Sequence, residues 1–255
     1  MNVKGLFNIE RYKVTGSGLK WIAIICMLID HIGAILVEPI CMGMVSSTLF
    51  TPKQWIAIYY VLRGIGRIAF PIFAFLIAEG LIHTRSRWKY FRDLCISAVV
   101  SEVPFDLAVA RTAFTLEYQN VFWTLAIGLA AIWLMEFVET KAMERNLTKE
   151  QGDLCSILLA VCMAMLAEFA NTDYGAIGVL SICIYYKYRM RKVSAATIVW
   201  IMLTIYNWFE VFCLPTVLGI RCYNGARGKQ HKYFFYMFYP LHLLVLVGLS
   251  KILFS

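Results

Sequence analysis

Leu19–Val37 is long and apolar enough to cross a membrane; about 20 such residues span the ~30 Å hydrocarbon core as a helix. Asp30 and His31 stand inside that run. A central Asp costs roughly 2.5–3.5 kcal/mol on insertion scales, so both groups need a polar partner or a water-filled cavity. Apolar runs recur over almost the whole chain of 255 residues, which is 60% hydrophobic and 16% charged, with mean hydropathy +0.68. Soluble domains run near 45–50% apolar and about 25% charged. The chain therefore reads as all-α, a polytopic transmembrane helix bundle. It forms one integral-membrane domain over 1–255, with a polar segment at 1–16 and the bundle at 17–253.

Helices are expected at about 17–37, 54–82, 90–109, 119–138, 154–171, 175–187 and 233–253. The first stops before Glu38-Pro39; the second, long for one crossing, either lays its first part in the interface or tilts and kinks near Pro71. Residues 194–220 read as one long helix or as two short crossings broken near Leu214-Pro215. Two crossings give about nine passages (8–10) and leave Arg221, Arg227, Lys229 and Lys232 on the inner side. The basic loops at 83–89 and 187–192 mark the cytoplasm, and the N-terminus lies with them. That rule accounts for most of the net charge of +8 without a nucleic-acid partner. Residues 1–18 carry Lys4, Arg11 and Lys13 but no apolar core, so the first run is expected to be a retained helix and not a signal peptide. The eight cysteines form no CxxC pair and lie mostly in apolar runs, as small core residues do. No metal site is expected, since the histidines lack HxxxH spacing.

Polar residues inside the apolar runs agree in depth. At 1.5 Å rise per residue, Asp30, Glu102, Arg67 and Asn207 come out roughly 18–20 Å from the inner face, and His242 about 14 Å. Arg63 and Arg67 are spaced i, i+4, as are Glu102 and Asp106, and so share helix faces. An imidazole beside carboxylates is equipment for general acid–base work. His31, with Asp30 or Glu102, could deprotonate an amine or hydroxyl, while Arg67 or Tyr239 polarises a carbonyl. The competing structural reading is a set of interhelical ion pairs, Asp30–Arg67 and Glu102–Arg63. His242 beside Tyr239 reads equally as a satisfied core histidine. A second group faces the basic end: Arg85, Arg92, Asn224, Arg227 and Lys229, with a Gly-punctuated turn whose amides could cradle phosphate.

Several stretches resemble the TraX family of conjugal-transfer membrane proteins: Met27-Leu28-Ile29-Asp30-His31-Ile32-Gly33, Gly66-Arg67-Ile68-Ala69-Phe70-Pro71, Ser101-Glu102-Val103-Pro104-Phe105-Asp106, Tyr223-Asn224-Gly225 and Phe238-Tyr239-Pro240-Leu241-His242. The resemblance spans roughly 17–245. It implies a link to N-terminal acetylation of F-type pilin and a distant likeness to integral-membrane acyltransferases that draw on cytoplasmic acetyl-CoA. The expected activity is acetyl transfer in a bacterial inner membrane, to a pilin N-terminus or an envelope lipid or glycan. His31, Asp30, Arg67, Glu102, His242 and Tyr239 carry the chemistry, and the second group binds CoA. The same intramembrane charges also describe a proton-coupled transporter or channel, or a structural subunit.

Overall fold

The computed structural model describes residues 13–229 and 231–254. Most of the N-terminal polar segment, residues 1–12, lies outside the described residues. The described chain is helical, with only isolated bridges at Val14–Tyr223 and Gln119–Thr172. Eleven α-helices are described: α1 Gly16–Ile32, α2 Glu38–Cys41, α3 Pro52–Gly66, α4 Ala69–His83, α5 Arg87–Val109, α6 Val121–Glu144, α7 Lys149–Phe169, α8 Gly175–Lys187, α9 Lys192–Tyr206, α10 Pro215–Arg221 and α11 Lys232–Phe254. Five stretches among the described residues are long and apolar enough to span a bilayer: Gly16–Cys41, Pro52–His83, Val121–Glu144, Lys149–Phe169 and Lys232–Phe254.

The first expected helix does not stop at Glu38. A π-helical turn, Gly33–Val37, follows directly on Asp30-His31 and joins α1 to α2. Pro39 explains it. Proline offers no N–H to the carbonyl four residues back and its ring crowds that carbonyl, so the ladder widens by one residue instead of breaking. The second expected helix does break, but not at Pro71. The interruption is Arg67-Ile68, where both amides close short turns onto Gly64 and Ile65. Pro71 sits in the first turn of α4, where no intrahelical N–H partner is needed. At 194–220 the chain doubles back. It leaves α9 at Asn207, not at Leu214-Pro215, runs through a 3₁₀ segment Trp208–Cys213 and returns in α10. Lys192 Nζ on α9 meets the carbonyl of Tyr223 beyond α10, so the two short limbs close at the same end.

α6 packs on α7 and α8, α4 on α8 and α1, α1 on α3, and α5 on α6 and α11. An apolar core runs from Leu19 and Ala23 on α1 to Leu129, Ile132 and Ile182 on α6 and α8. Large apolar side chains such as Ile96, Val99 and Val103 on α5 and Leu154, Ile157 and Leu158 on α7 point outward, as they do against lipid. Charge separates the two ends. Ion pairs Arg87–Glu136, Lys187–Asp153 and Lys232–Asp93 tie one end together and sit among basic loops. At the other end, Gln119 bonds to Asn171 and Tyr118 to Asp173. Arg111 lies in its loops and Lys53 in the first turn of α3.

Candidate functional site

The α3–α4 break places the charged layer. Arg63 lies in the last turn of α3 and Arg67 just beyond it, and both guanidiniums reach Asp30: Arg63 Nη1 to Oδ2 at 2.5 Å and Arg67 Nη2 to Oδ1 at 2.9 Å. Close helix approach makes this possible. A Cβ at Gly66 would fall inside the Asp30 side chain, and one at Gly33 would meet Leu62 Cβ at 3.1 Å. Asp30 is thus buried with both oxygens engaged, as an ionised carboxylate in an apolar interior requires. Arg67 also donates to Glu210 Oε1 at 3.1 Å and to Tyr174 Oη at 3.4 Å.

His31 does not bond a carboxylate. Its Nδ1 lies 2.7 Å from His242 Nε2, and His242 Nδ1 lies 2.7 Å from the Phe238 carbonyl. A carbonyl only accepts, so His242 Nδ1 carries a hydrogen. In the neutral ring His242 Nε2 then accepts, and His31 Nδ1 is the donor. His31 Nε2 is left with its lone pair and no hydrogen-bond partner among the described residues. This is an orienting relay with an imidazole in the place sequence reasoning gave to Asp30 or Glu102. The Phe238 ring stacks on His242 at 4.8 Å, and the Tyr239 ring stands edge-on to His31 at 6.0 Å, fixing both imidazoles.

Glu102 belongs to a separate cluster. Its Oε2 accepts from Asn120 Nδ2 at 2.6 Å and from Trp123 Nε1 at 2.8 Å, while Oε1 is buried without a partner. The expected Glu102–Arg63 pair does not form, because Arg63 and Arg67 both turn to Asp30. Tyr239 lies between Glu102 and the histidines and within electrostatic reach of Tyr118 and Asp173. Asn207 is not in the buried layer. It is exposed, ends α9 and caps the following turn through Phe209 N at 3.0 Å.

A cavity of about 290 Å³ opens over Arg67 at the end opposite the basic loops, lined by Glu117, Tyr118, Asp173, Tyr174, Tyr206 and Glu210 among others. Asp173, in the α7–α8 turn, is held by Tyr118 Oη at 2.6 Å. Burial pushes its carboxyl above the usual range, against the opposing pull of the Tyr118 hydrogen bond and Arg67. Sequence reasoning missed Glu210. The signal was available, because it is the last acidic residue in the chain and stands alone in an apolar stretch.

At the basic end, Arg85 and Lys229 are exposed, Arg92 pairs with Asp93 at 2.9 Å, and Arg227 sits near Lys20 and Tyr90. The Asn224–Gly228 turn acts chiefly on α1. Its carbonyls at Ala226 and Arg227 accept from Gly16 N and Ser17 N at 2.8 and 2.9 Å, covering the helix N-terminus. Two of its own amides are engaged: Asn224 N on Val14 O, and Ala226 N on Asn224 Oδ1 at 2.9 Å. Two amides of the expected cradle, at Asn224 and Ala226, are thus committed within the protein.

Taken together, the fold and site define a polytopic helical membrane protein with a histidine relay beside a doubly paired intramembrane aspartate. The chain belongs to the TraX protein family, whose profile matches residues 15–250. It is also similar to the probable fimbrial assembly protein FimC, serogroup H1, of Dichelobacter nodosus: 25% identical over 264 aligned positions, covering 92% of this chain and 95% of that one. No solved structure matches.

Proposed function

We propose that this protein is an integral-membrane acetyltransferase with His31 as its general base. The observation that carries the proposal is the His31–His242 relay, which leaves one imidazole nitrogen with a lone pair inside the bundle. His31 Nε2 takes the proton from an acceptor amine or hydroxyl as its nitrogen or oxygen attacks the thioester carbonyl of acetyl-CoA. The C–S bond breaks, the acetyl group passes to the acceptor, and the CoA sulfur takes up the proton from the imidazolium. His242 is a positioning residue: it fixes the tautomer and stabilises the imidazolium through Nδ1–H of His31. The Asp30–Arg63–Arg67 cluster beside it sets the local field, and the Tyr239 ring packs edge-on against both imidazoles.

The basic end faces the cytoplasm in this reading, with the N-terminus there and about nine passages through the inner membrane as one domain; the positive-inside bias supports it. CoA phosphates meet the side chains of Arg85, Arg92, Asn224, Arg227 and Lys229. The family's link to pilin acetylation and the fimbrial assembly relative support a pilin N-terminus as acceptor, with an envelope lipid or glycan as the alternative nucleophile. Titrating the purified chain in lipid nanodiscs with acetyl-CoA tests the donor half. Saturable thermal stabilisation that weakens in Arg85→Ala/Lys229→Ala is expected. A flat titration, or a proton flux in proteoliposomes that requires no acyl donor, refutes it.

A further inference from the structure

The cavity over Arg67 has a charge balance that the acetyl-transfer reading does not use. Four carboxylates, Glu117, Glu168, Asp173 and Glu210, line it against one guanidinium. That guanidinium is already shared between Asp30 and Glu210 Oε1. Glu168 accepts from the Ala176 amide at 2.9 Å at the start of α8, and Asp173 accepts from Tyr118. Glu210 is different. It is 3% exposed, and its Oε2 is buried with no hydrogen-bond partner among the described residues. An acceptor removed from water without a donor is costly, and protonating it would only replace an orphan acceptor with an orphan donor. A cationic donor entering the cavity resolves the deficit.

We propose that this cavity is a binding site for an organic cation carrying a primary ammonium or guanidinium group, with Glu210, whose carboxyl lacks one donor, as the principal acceptor. Asp173, Glu117 and Glu168 supply the surrounding negative field. The walls fit the apolar stem of such a ligand: Leu203, Tyr174 and Tyr206 line the same space, and aromatic faces attract cations. About 290 Å³ holds a chain terminus or a small amine and excludes a folded domain. A metal ion is the weaker occupant, since no cluster of three or more ligating side chains of metal-holding geometry exists among the described residues. The site requires no acyl donor, so it stands or falls separately from the transferase reading.

The test uses the full chain in neutral-lipid nanodiscs, with butylammonium as probe and butanol, butyrate, Mg²⁺ and Ca²⁺ as comparators. Binding is read by saturation-transfer NMR and by thermal shift. Butylammonium should bind saturably and butanol and butyrate should not. Glu210→Gln should weaken binding at least tenfold. Glu117→Gln lies on the exposed rim and should weaken it about threefold while leaving the ligand-free melting temperature unchanged. If Glu210→Gln does not fold, Asp173→Asn together with Glu117→Gln carries the test. Equal binding of butanol, undiminished binding in the variants, or saturation by a divalent ion that butylammonium cannot displace would each overturn the proposal.

Discussion

Gly66→Ala tests whether the charged layer depends on close approach of α1 and α3. The added methyl would overlap Oδ1, Cβ and Cγ of Asp30, so the carboxylate or the helix must move by about 1 Å to restore normal contact distances. The two guanidinium contacts are 2.5 and 2.9 Å. A shift of about 1 Å takes both to the edge of hydrogen-bonding range or beyond it. Disrupting a buried pair costs about 3–5 kcal/mol, and replacing glycine by alanine in a helix returns about 1 kcal/mol. The net expectation is a loss of about 2–4 kcal/mol. Gly64→Ala is the internal control. Its methyl would meet the half-exposed Phe212 ring at 3.3 Å. That ring can yield, so the same helix gain leaves this variant within about 1 kcal/mol of the parent. Both are read by reversible unfolding in mixed micelles, followed by helical circular dichroism. Equal stability of the two variants would refute the steric argument.

Asn120→Ala removes the cap of α6 and one donor to Glu102, and should cost about 2–4 kcal/mol in the same assay; Asn120→Asp keeps the cap but sets a carboxylate against Glu102, and a variant as stable as the parent would show that the Nδ2 bonds contribute little. Asp173 has a folded pKa raised by burial, so ionising it opposes folding, increasingly as pH rises through the carboxylate range. Asp173→Asn should therefore melt above the parent at neutral pH, and the gap should close as pH falls below that range; a gap that widens on acidification contradicts the sign. Gly228 has φ +69, and a methyl there would lie 2.6 Å from Thr15 Oγ1. Gly228→Ala should loosen the turn that covers α1 and speed amide exchange at Gly16 and Ser17, while unchanged exchange would place the restraint elsewhere.

The helices were legible because apolar runs of membrane length admit few alternatives, and α8 falls at its expected limits, Gly175–Lys187. The Asp30–Arg67 partnership was also legible, from depth and i, i+4 spacing alone. Partner choice within the layer was not. Glu102 could be matched with Arg63 by depth, yet it turns to Asn120 and Trp123, because depth carries no azimuth around the bundle. The His31–His242 bond joins helices 211 residues apart, and no local pattern encodes which faces meet. Breaks were misplaced where proline was read without its position in the turn: Pro71 is harmless at the start of α4, while the glycines at 64 and 66 permit the true interruption. The basic turn at 224–228 showed its composition in the sequence but not the bonds its carbonyls make to the start of α1.

The central claim is that the nitrogen left open by the histidine relay is the base for acyl transfer. Its most direct test is mass spectrometry of envelope proteins and lipids from cells carrying the parent, His31→Ala or His242→Gln chain. An acetyl mass difference that depends on the parent is expected, lost in His31→Ala despite normal membrane insertion and reduced tenfold or more in His242→Gln with a displaced pH profile. Full acetylation by His31→Ala, or no acetyl difference between cells with and without the protein, would contradict it.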